Sequence, residues 1–474
     1  MRSGRRGAVF SASVRRRRTY ITLTAASLAV LGIACAQNKP APASSTEVSA
    51  SLIPLPASAS APIAAPLVAA PAHEPLDPAV LAKERGTVAF DDPQHHLDAF
   101  FAQLAQTDAH AAGAVTRILH YGDSIIGSDY ISSTARRVLQ KRFGDSGHGF
   151  ILMTNAWEWY FHDDVVHHAS AGWDMSRFTG PFTKDSAYGI GGVTFRAWPG
   201  ASATFGTAEQ GEYGRKVSRF DVYYMEQPKG GDFEVRMGAA SDGKGERVST
   251  AGEAKVSRVH AFHVPDGEAK VAVRIVGGGE TRLFGVALER DTPGVVYDAL
   301  GALGARARYI ENMDAAHLRE QFALRKPGLI VLAYGTNESQ EHVDLAAYKK
   351  QFRAVIDKMR DAAEGASVVV MAPPDRAERH GGGLRSAPPL VRLVEAQREV
   401  AREAGVAFWN TFEAMGGSGA MAKWVASAPQ LGAGDLTHPT RAGAARIGRL
   451  FADAIDTGLT AYRDRVPARV PTQL

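Results

Sequence analysis

Apolar residues along this chain recur in two rhythms, and the rhythm changes twice. From about residue 92, Leu97, Phe100, Phe101 and Leu104 share one helical face, with Asp92 placed to cap the helix and Pro93 at its first position. "RILHY" (117–121) then reads as a strand, and Ile131, Ala135, Val138 and Leu139 mark the face of the next helix. The same alternation returns later. "GLIVLAY" (328–334) is a buried strand, and Leu345, Tyr348, Phe352, Val355 and Met359 form a helix. "SVVVMA" (367–372) is a strand, 390–400 a helix and "VAFW" (406–409) a last strand, before a final helix carrying Ile447, Leu450, Phe451 and Ile455. Short apolar strands between amphipathic helices predict a parallel sheet covered on both faces.

Between about 162 and 291 the helical period disappears. "VTFRAW", "RFDVYYM", "DFEVRM", "RVHAFHV", "AKVAVRIV" and "RLFGVALE" follow one another instead, separated by turns such as "PDG" and "GGGE". That is the pattern of a β-sandwich set into a surface loop of an α/β domain. The predicted organisation is therefore an α/β domain in two parts, 86–161 and 292–465, around an all-β insert at 162–291, with a tail at 466–474.

The N-terminal segment has a different composition. "MRSGRRGAVFSASVRRRRTY" is a basic leader, "ITLTAASLAVLGIA" is an apolar stretch short for a membrane span, and Cys35 follows it directly. This resembles the lipobox of bacterial lipoproteins, so 1–35 is expected to be a signal peptide ending in an acylated Cys35. The implied product is an exported periplasmic or outer-membrane lipoprotein, held to a membrane by an N-terminal lipid anchor. Residues 36–85, dominated by Ala, Pro and Ser, have too little to bury and are expected to form an extended tether. Cys35 is the only cysteine of the 474 residues, which excludes an intramolecular disulfide. The formal charge of +4 comes from the leader: without its seven arginines, 47 basic residues face 50 acidic ones, a balance of about −3. No nucleic-acid partner is expected from such a surface, and the chain is expected to act as a monomer.

The candidate chemistry begins at the first strand. In an open α/β sheet, reacting groups sit at the C-terminal strand ends. Gly122-Asp123-Ser124 lies between a strand and a helix, which exposes the Ser124 hydroxyl and places its N–H at the start of the helix. A second Gly-Asp-Ser, at Ser146, follows a helix end and reads as a turn with Gly144 as the helix cap. Ser124 is thus the candidate nucleophile, and it needs a base and a group to orient that base. Asp-x-x-His is compact enough for the carboxylate to reach Nδ1 of the imidazole, and it occurs three times: Asp164/His167, Asp314/His317 and Asp435/His438. Only the third stands on a loop beyond a strand and before a helix. Asn337, in "GTNES" at the end of another strand, can aim its amide N–H at an oxyanion, where losing one donor costs about 3–4 kcal/mol of barrier.

These blocks resemble the SGNH (GDSL-type) hydrolases, with Ser124 in the first block, Asn337 in the third, and Asp435 and His438 in the last. The resemblance implies a flavodoxin-like α/β sheet. It also assigns the second block to "YDALGALGARARY", where Gly304 would add a backbone N–H to the oxyanion hole of Ser124 and Asn337. The arrangement is similar to Gram-negative peptidoglycan O-acetylesterases, which carry a carbohydrate-binding-module-like jelly roll between the same two blocks. This implies an acetylated cell-wall glycan as substrate, with no metal and no cofactor.

Three functions follow from different classes: an esterase removing acetyl groups, an O-acetyltransferase using the same triad, and a glycan-binding lipoprotein on a non-catalytic scaffold. The complete triad argues against the third. Trp157, Trp159, Tyr160 and Trp198 can stack on sugar rings or pack into a core. His120 is expected to be a core histidine and Asp123 to hold the turn.

Overall fold

The computed structural model describes residues 88–238 and 245–466. The leader, Cys35, the 36–85 tract and nearly all of the 466–474 tail lie outside the described residues. Five parallel strands form the central sheet: β1 (Val115–Gly122), β2 (Gly294–Gly301), β3 (Leu329–Ala333), β4 (Ser367–Met371) and β5 (Ala407–Trp409). Their spatial order is β2-β1-β3-β4-β5, the flavodoxin-like order, whose crevice opens where the winding reverses between β1 and β3. Every residue of β3 and β4 is buried, which is why these strands read as unbroken apolar runs.

The two-residue side-chain period divides the strands between two layers. Ile118 on β1 and Val331 on β3 face α1 (Asp98–Asp108), α2 (Tyr130–Phe143) and α3 (Arg441–Arg465), where they meet Phe100, Leu139 and Phe451. Leu119 and Tyr121 on β1, with Ile330 and Leu332 on β3, face the helices Leu345–Ala362 and Pro388–Ala404. Local chemistry fixes the ends of these helices. Asp344 accepts the N–H groups of Ala346 and Ala347, Pro388 opens its helix, and Gly405 closes it at φ 67°.

The helix expected from Asp92 starts six residues later, at Asp98. The Asp92 carboxylate does accept the N–H groups of His96 (2.8 Å) and Leu97 (3.0 Å). His95, however, lies in the left-handed region at φ 61°, so the chain makes separate turns before the helix begins.

Two antiparallel sheets make up the insert. One is six-stranded and built around Val217–Glu226 and Thr281–Glu289; the other is five-stranded and built around Lys270–Gly278. Their facing side chains, among them Phe195, Phe205, Phe220 and Phe233, form one core, continuous with the layer beneath Leu119 and Tyr121. Gly149–Leu152, sequentially ahead of the predicted insert, pairs with Thr281–Glu289 and joins the first sheet.

A buried ionic cluster crosses the seam between sandwich and sheet. Glu289, on the last strand of the sandwich, accepts hydrogen bonds from Arg117 on β1, Arg219 and Arg325. Arg325 also forks onto Asp298 of β2 at 2.6 and 2.7 Å. Burial alone would raise the Glu289 carboxyl, but Arg325, Arg117 and Arg219 outweigh it and hold the group far below the usual carboxylate range. Among the described residues no helix is long and apolar enough to cross a membrane.

Candidate functional site

Ser124 sits where β1 turns sharply into a one-turn helix, Ser124–Gly127. A Cβ on Gly122 would lie 2.4 Å from Ile126 Cγ1 and 2.8 Å from the Ala333 carbonyl oxygen, so only glycine lets the turn fold back over the strand end. Asp123 is buried and caps the turn, its carboxylate accepting the Ile125 N–H at 3.0 Å. Burial pushes the Asp123 carboxyl up to about 6.

The loop between the short helix Ala420–Val425 and α3 brings His438 to this serine. Ser124 Oγ lies 2.9 Å from His438 Nε2, and His438 Nδ1 lies 2.6 Å from Asp435 Oδ2. The other carboxylate oxygen accepts the backbone N–H groups of Thr437 and His438, each at 3.0 Å. Burial would raise the Asp435 carboxyl, but those two N–H groups and the His438 ring overcome it and hold the group below its ordinary value. The loop is itself fixed by the Ala433 N–H on the His438 carbonyl (2.8 Å) and by Thr440, which caps α3.

The other two Asp-x-x-His pairs lack this geometry. Asp164 forks with Arg137, while His167 stacks on Phe205. Asp314 caps a helix through the His317 N–H, and the His317 ring is buried against Ser257, its imidazole pushed down to about 4 by burial. Ser146 is fully buried and donates its hydroxyl to the Thr292 carbonyl. His120 is buried with Nδ1 2.7 Å from the Tyr297 hydroxyl, but its Nε2 finds no protein partner, so this core histidine is only half satisfied.

Asn337 follows β3 after a turn through Gly335, whose φ of 130° favours glycine. Its amide Nδ2 donates to the Ala305 carbonyl at 3.0 Å, so one amide N–H ties the β3 loop to the β2 loop. Gly304 lies on that second loop, exposed and at φ 71°. The loop packs on the serine turn: Ala302 donates to the Gly122 carbonyl (2.9 Å), and a Cβ on Gly127 would come within 2.7 Å of Leu303 Cδ1.

Glu338, the residue after Asn337, went unnoticed in the sequence. Its buried carboxyl accepts the Ala307 N–H at 2.8 Å and locks the same two loops together. Burial pushes it up to about 7. Its only sequence signal was an acid directly after a candidate oxyanion donor, which a solvated loop residue would also give.

Asp129, His148 and His162 are the one described trio close enough to hold a metal ion. They do not fit one, because the Asp129 carboxylate already receives Arg136 (2.7 Å), Ser132 (2.7 Å) and the Asp163 N–H (2.9 Å). A guanidinium occupies the cation's place.

Residues 273–446 match the model of the GDSL-like lipase/acylhydrolase family. The α/β domain is an SGNH-type hydrolase domain. It is accordingly the domain of a serine esterase. The matched segment contains Gly304, Asn337, Asp435 and His438 but begins inside the insert, beyond Ser124. A solved peptidoglycan O-acetylesterase superposes with a TM-score of 0.66 at 21% identity, over 77% of this chain and 96% of its own. That superposition spans the sandwich as well as the sheet, which fits the α/β domain with an inserted all-β unit. Two family two carbohydrate esterases also match. The one from Cellvibrio japonicus is 13% identical over 63% of this chain and 99% of its own, at a TM-score of 0.26. The one from Clostridium thermocellum, in complex with cellohexaose, is 12% identical over 62% and 99%, at 0.28. No curated protein matches the sequence.

Proposed function

We propose that this SGNH hydrolase is an envelope esterase that removes O-acetyl groups from cell-wall glycan, with Ser124, His438 and Asp435 as its catalytic triad. One observation carries the mechanism: the unbroken Ser124–His438–Asp435 chain of contacts at 2.9 and 2.6 Å. The substrate reading is supported by the likeness to a peptidoglycan O-acetylesterase across both domains.

In this mechanism His438 Nε2 takes the Ser124 proton as Oγ attacks the acetyl carbonyl carbon. The resulting oxyanion is held by the N–H groups of Ser124 and Gly304 and by the Asn337 amide. The tetrahedral adduct collapses, the carbon–oxygen bond to the sugar breaks, and His438 returns its proton to the leaving sugar oxygen. Water then attacks acetyl-Ser124, with His438 accepting its proton, and acetate leaves as Ser124 is re-protonated. Asp435 keeps the imidazole oriented and stabilises its cationic form.

Export and anchoring belong to the same reading. A leader ending in Cys35 and an Ala/Pro/Ser tether would deliver the domain to the envelope and hold it near glycan. The decisive assay measures acetate released from O-acetylated peptidoglycan and from acetylated xylan, with and without a glycan acceptor. Release from peptidoglycan into water supports the proposal. Acetyl transfer to the acceptor in preference to water would make the enzyme a transferase, and release from neither glycan would contradict the substrate reading.

A further inference from the structure

Two aromatic rings stand exposed on the segment whose backbone bonds to the end of the Ser124–Gly127 turn, and the fold holds them there. Trp159 is 61% and Phe161 39% exposed, with their ring centroids 6.1 Å apart and their planes 85° apart. We infer that Trp159 and Phe161 form a platform on which a pyranose ring of the acetylated glycan stacks while its ester reaches Ser124. The inference rests on the glycan-esterase reading above and deepens it.

The exposure is imposed by the neighbouring residues. Tyr160 and His162, which alternate with the two rings, turn inward: the buried Tyr160 hydroxyl accepts the Leu152 N–H at 3.2 Å and lies 2.6 Å from His162 Nε2. Asp163 locks the end of the segment. Its N–H donates to the buried Asp129 carboxylate (2.9 Å), and its own carboxylate accepts from Arg441 (2.7 Å) and the Ser133 hydroxyl (3.1 Å). A segment anchored so firmly does not expose large rings through looseness. An exposed aromatic patch on a rigid support marks a surface that something apolar covers.

Two tethers connect the platform to the reacting groups. The Phe161 N–H donates to the Gly127 carbonyl at 3.2 Å, and Gly127 closes the one-turn helix that Ser124 opens. Arg441, which holds Asp163, is the first residue of the helix that follows His438. The rings are thus joined to both halves of the Ser124–His438 pair. That continuity selects the occupant: a ligand seated on them is the part of the substrate next to the ester, and the C–H face of a sugar ring matches an aromatic surface. Trp198, also exposed, sits at a turn of the sandwich and has no such tether to Ser124.

The test compares kcat/KM on soluble O-acetylated peptidoglycan fragments with kcat/KM on vinyl acetate, an acetyl ester without a ring, for Trp159→Ala and Phe161→Ala. The glycan-to-vinyl-acetate ratio should fall at least tenfold in each, mainly through KM, and Trp159→Phe should recover most of it. Ratios within twofold of wild type in both alanine variants would overturn the platform. The same ratio is read with acetylated xylo-oligosaccharides, so wild type that ignores peptidoglycan but uses xylan fails the peptidoglycan reading while still testing the platform. Wild type that hydrolyses vinyl acetate and neither glycan overturns both.

Discussion

Ser124 and His438 stand 314 positions apart in the chain, yet Ser124 Oγ lies 2.9 Å from His438 Nε2. The sheet accounts for this. β1 delivers the serine to the crevice at the C-terminal strand ends, and the loop that leads into α3 returns the histidine to that serine, with Asp435 fixed to its far side.

Ser124→Ala should lower hydrolysis of a short-chain aryl acetate by several orders of magnitude. Ser146→Ala should keep most of the activity, because that hydroxyl is spent on the Thr292 carbonyl. Its effect should be on stability, on the order of 1 kcal/mol, read from urea unfolding. The reverse ranking in activity would exchange the two serines.

His438→Ala should be as damaging as Ser124→Ala, since the pair acts as a unit, and Asp435→Ala should be milder. His167→Ala and His317→Ala should remain active. Full activity in His438→Ala would contradict His438 as base.

Glu338→Gln should stabilise the protein at neutral pH. A carboxyl pushed up to about 7 in the fold contributes fully below its ordinary value of 4.5, and that contribution is lost as pH rises through about 7. Glutamine mimics the protonated form and can still accept the Ala307 N–H. The variant should therefore match wild type near pH 4 and exceed it by about 2–3 kcal/mol at pH 8. Thermal unfolding at the two pH values checks this, and equal or lower stability at pH 8 would refute it.

Arg325→Met should destabilise the fold by about 3–5 kcal/mol, because it leaves Glu289 and Asp298 buried with too little compensating charge. Urea unfolding reads the loss. A change under about 1 kcal/mol would show that the ionic cluster at the seam does not hold sandwich and sheet together.

Cys35→Ser should move the protein from the membrane fraction to the soluble fraction of the cells that make it. Unchanged partition would require a different anchor.

The candidate residues stood out in the sequence where chemistry and periodicity coincide. Ser124 and Asn337 each follow an apolar strand, whereas the Asp435/His438 pair, expected just beyond the last strand, follows the short helices Thr411–Ala414 and Ala420–Val425 and stands out by its place just before α3. The parallel sheet was readable for the same reason, since β3 and β4 are buried on both faces. The edges of the sandwich were not. Val165–Ala169, "VVHHA", and Glu246–Ser249, "ERVS", are short and partly exposed, and only their partners make them strands. Gly149–Leu152 joins the sandwich through pairing with a strand far along the chain, which local pattern cannot signal. Asp129, whose buried carboxylate anchors the Trp159 segment, gave no sign of its partners in Arg136 and Asp163.

In the proposed mechanism Ser124, activated by His438, forms the acyl-enzyme. Peptide mapping by mass spectrometry after treatment with a fluorophosphonate, which reacts with activated serines, tests it most directly. The probe should be found on Ser124 in wild type and on no residue in His438→Ala. Labelling of Ser146, or labelling of Ser124 that persists at the wild-type rate in His438→Ala, would contradict the account.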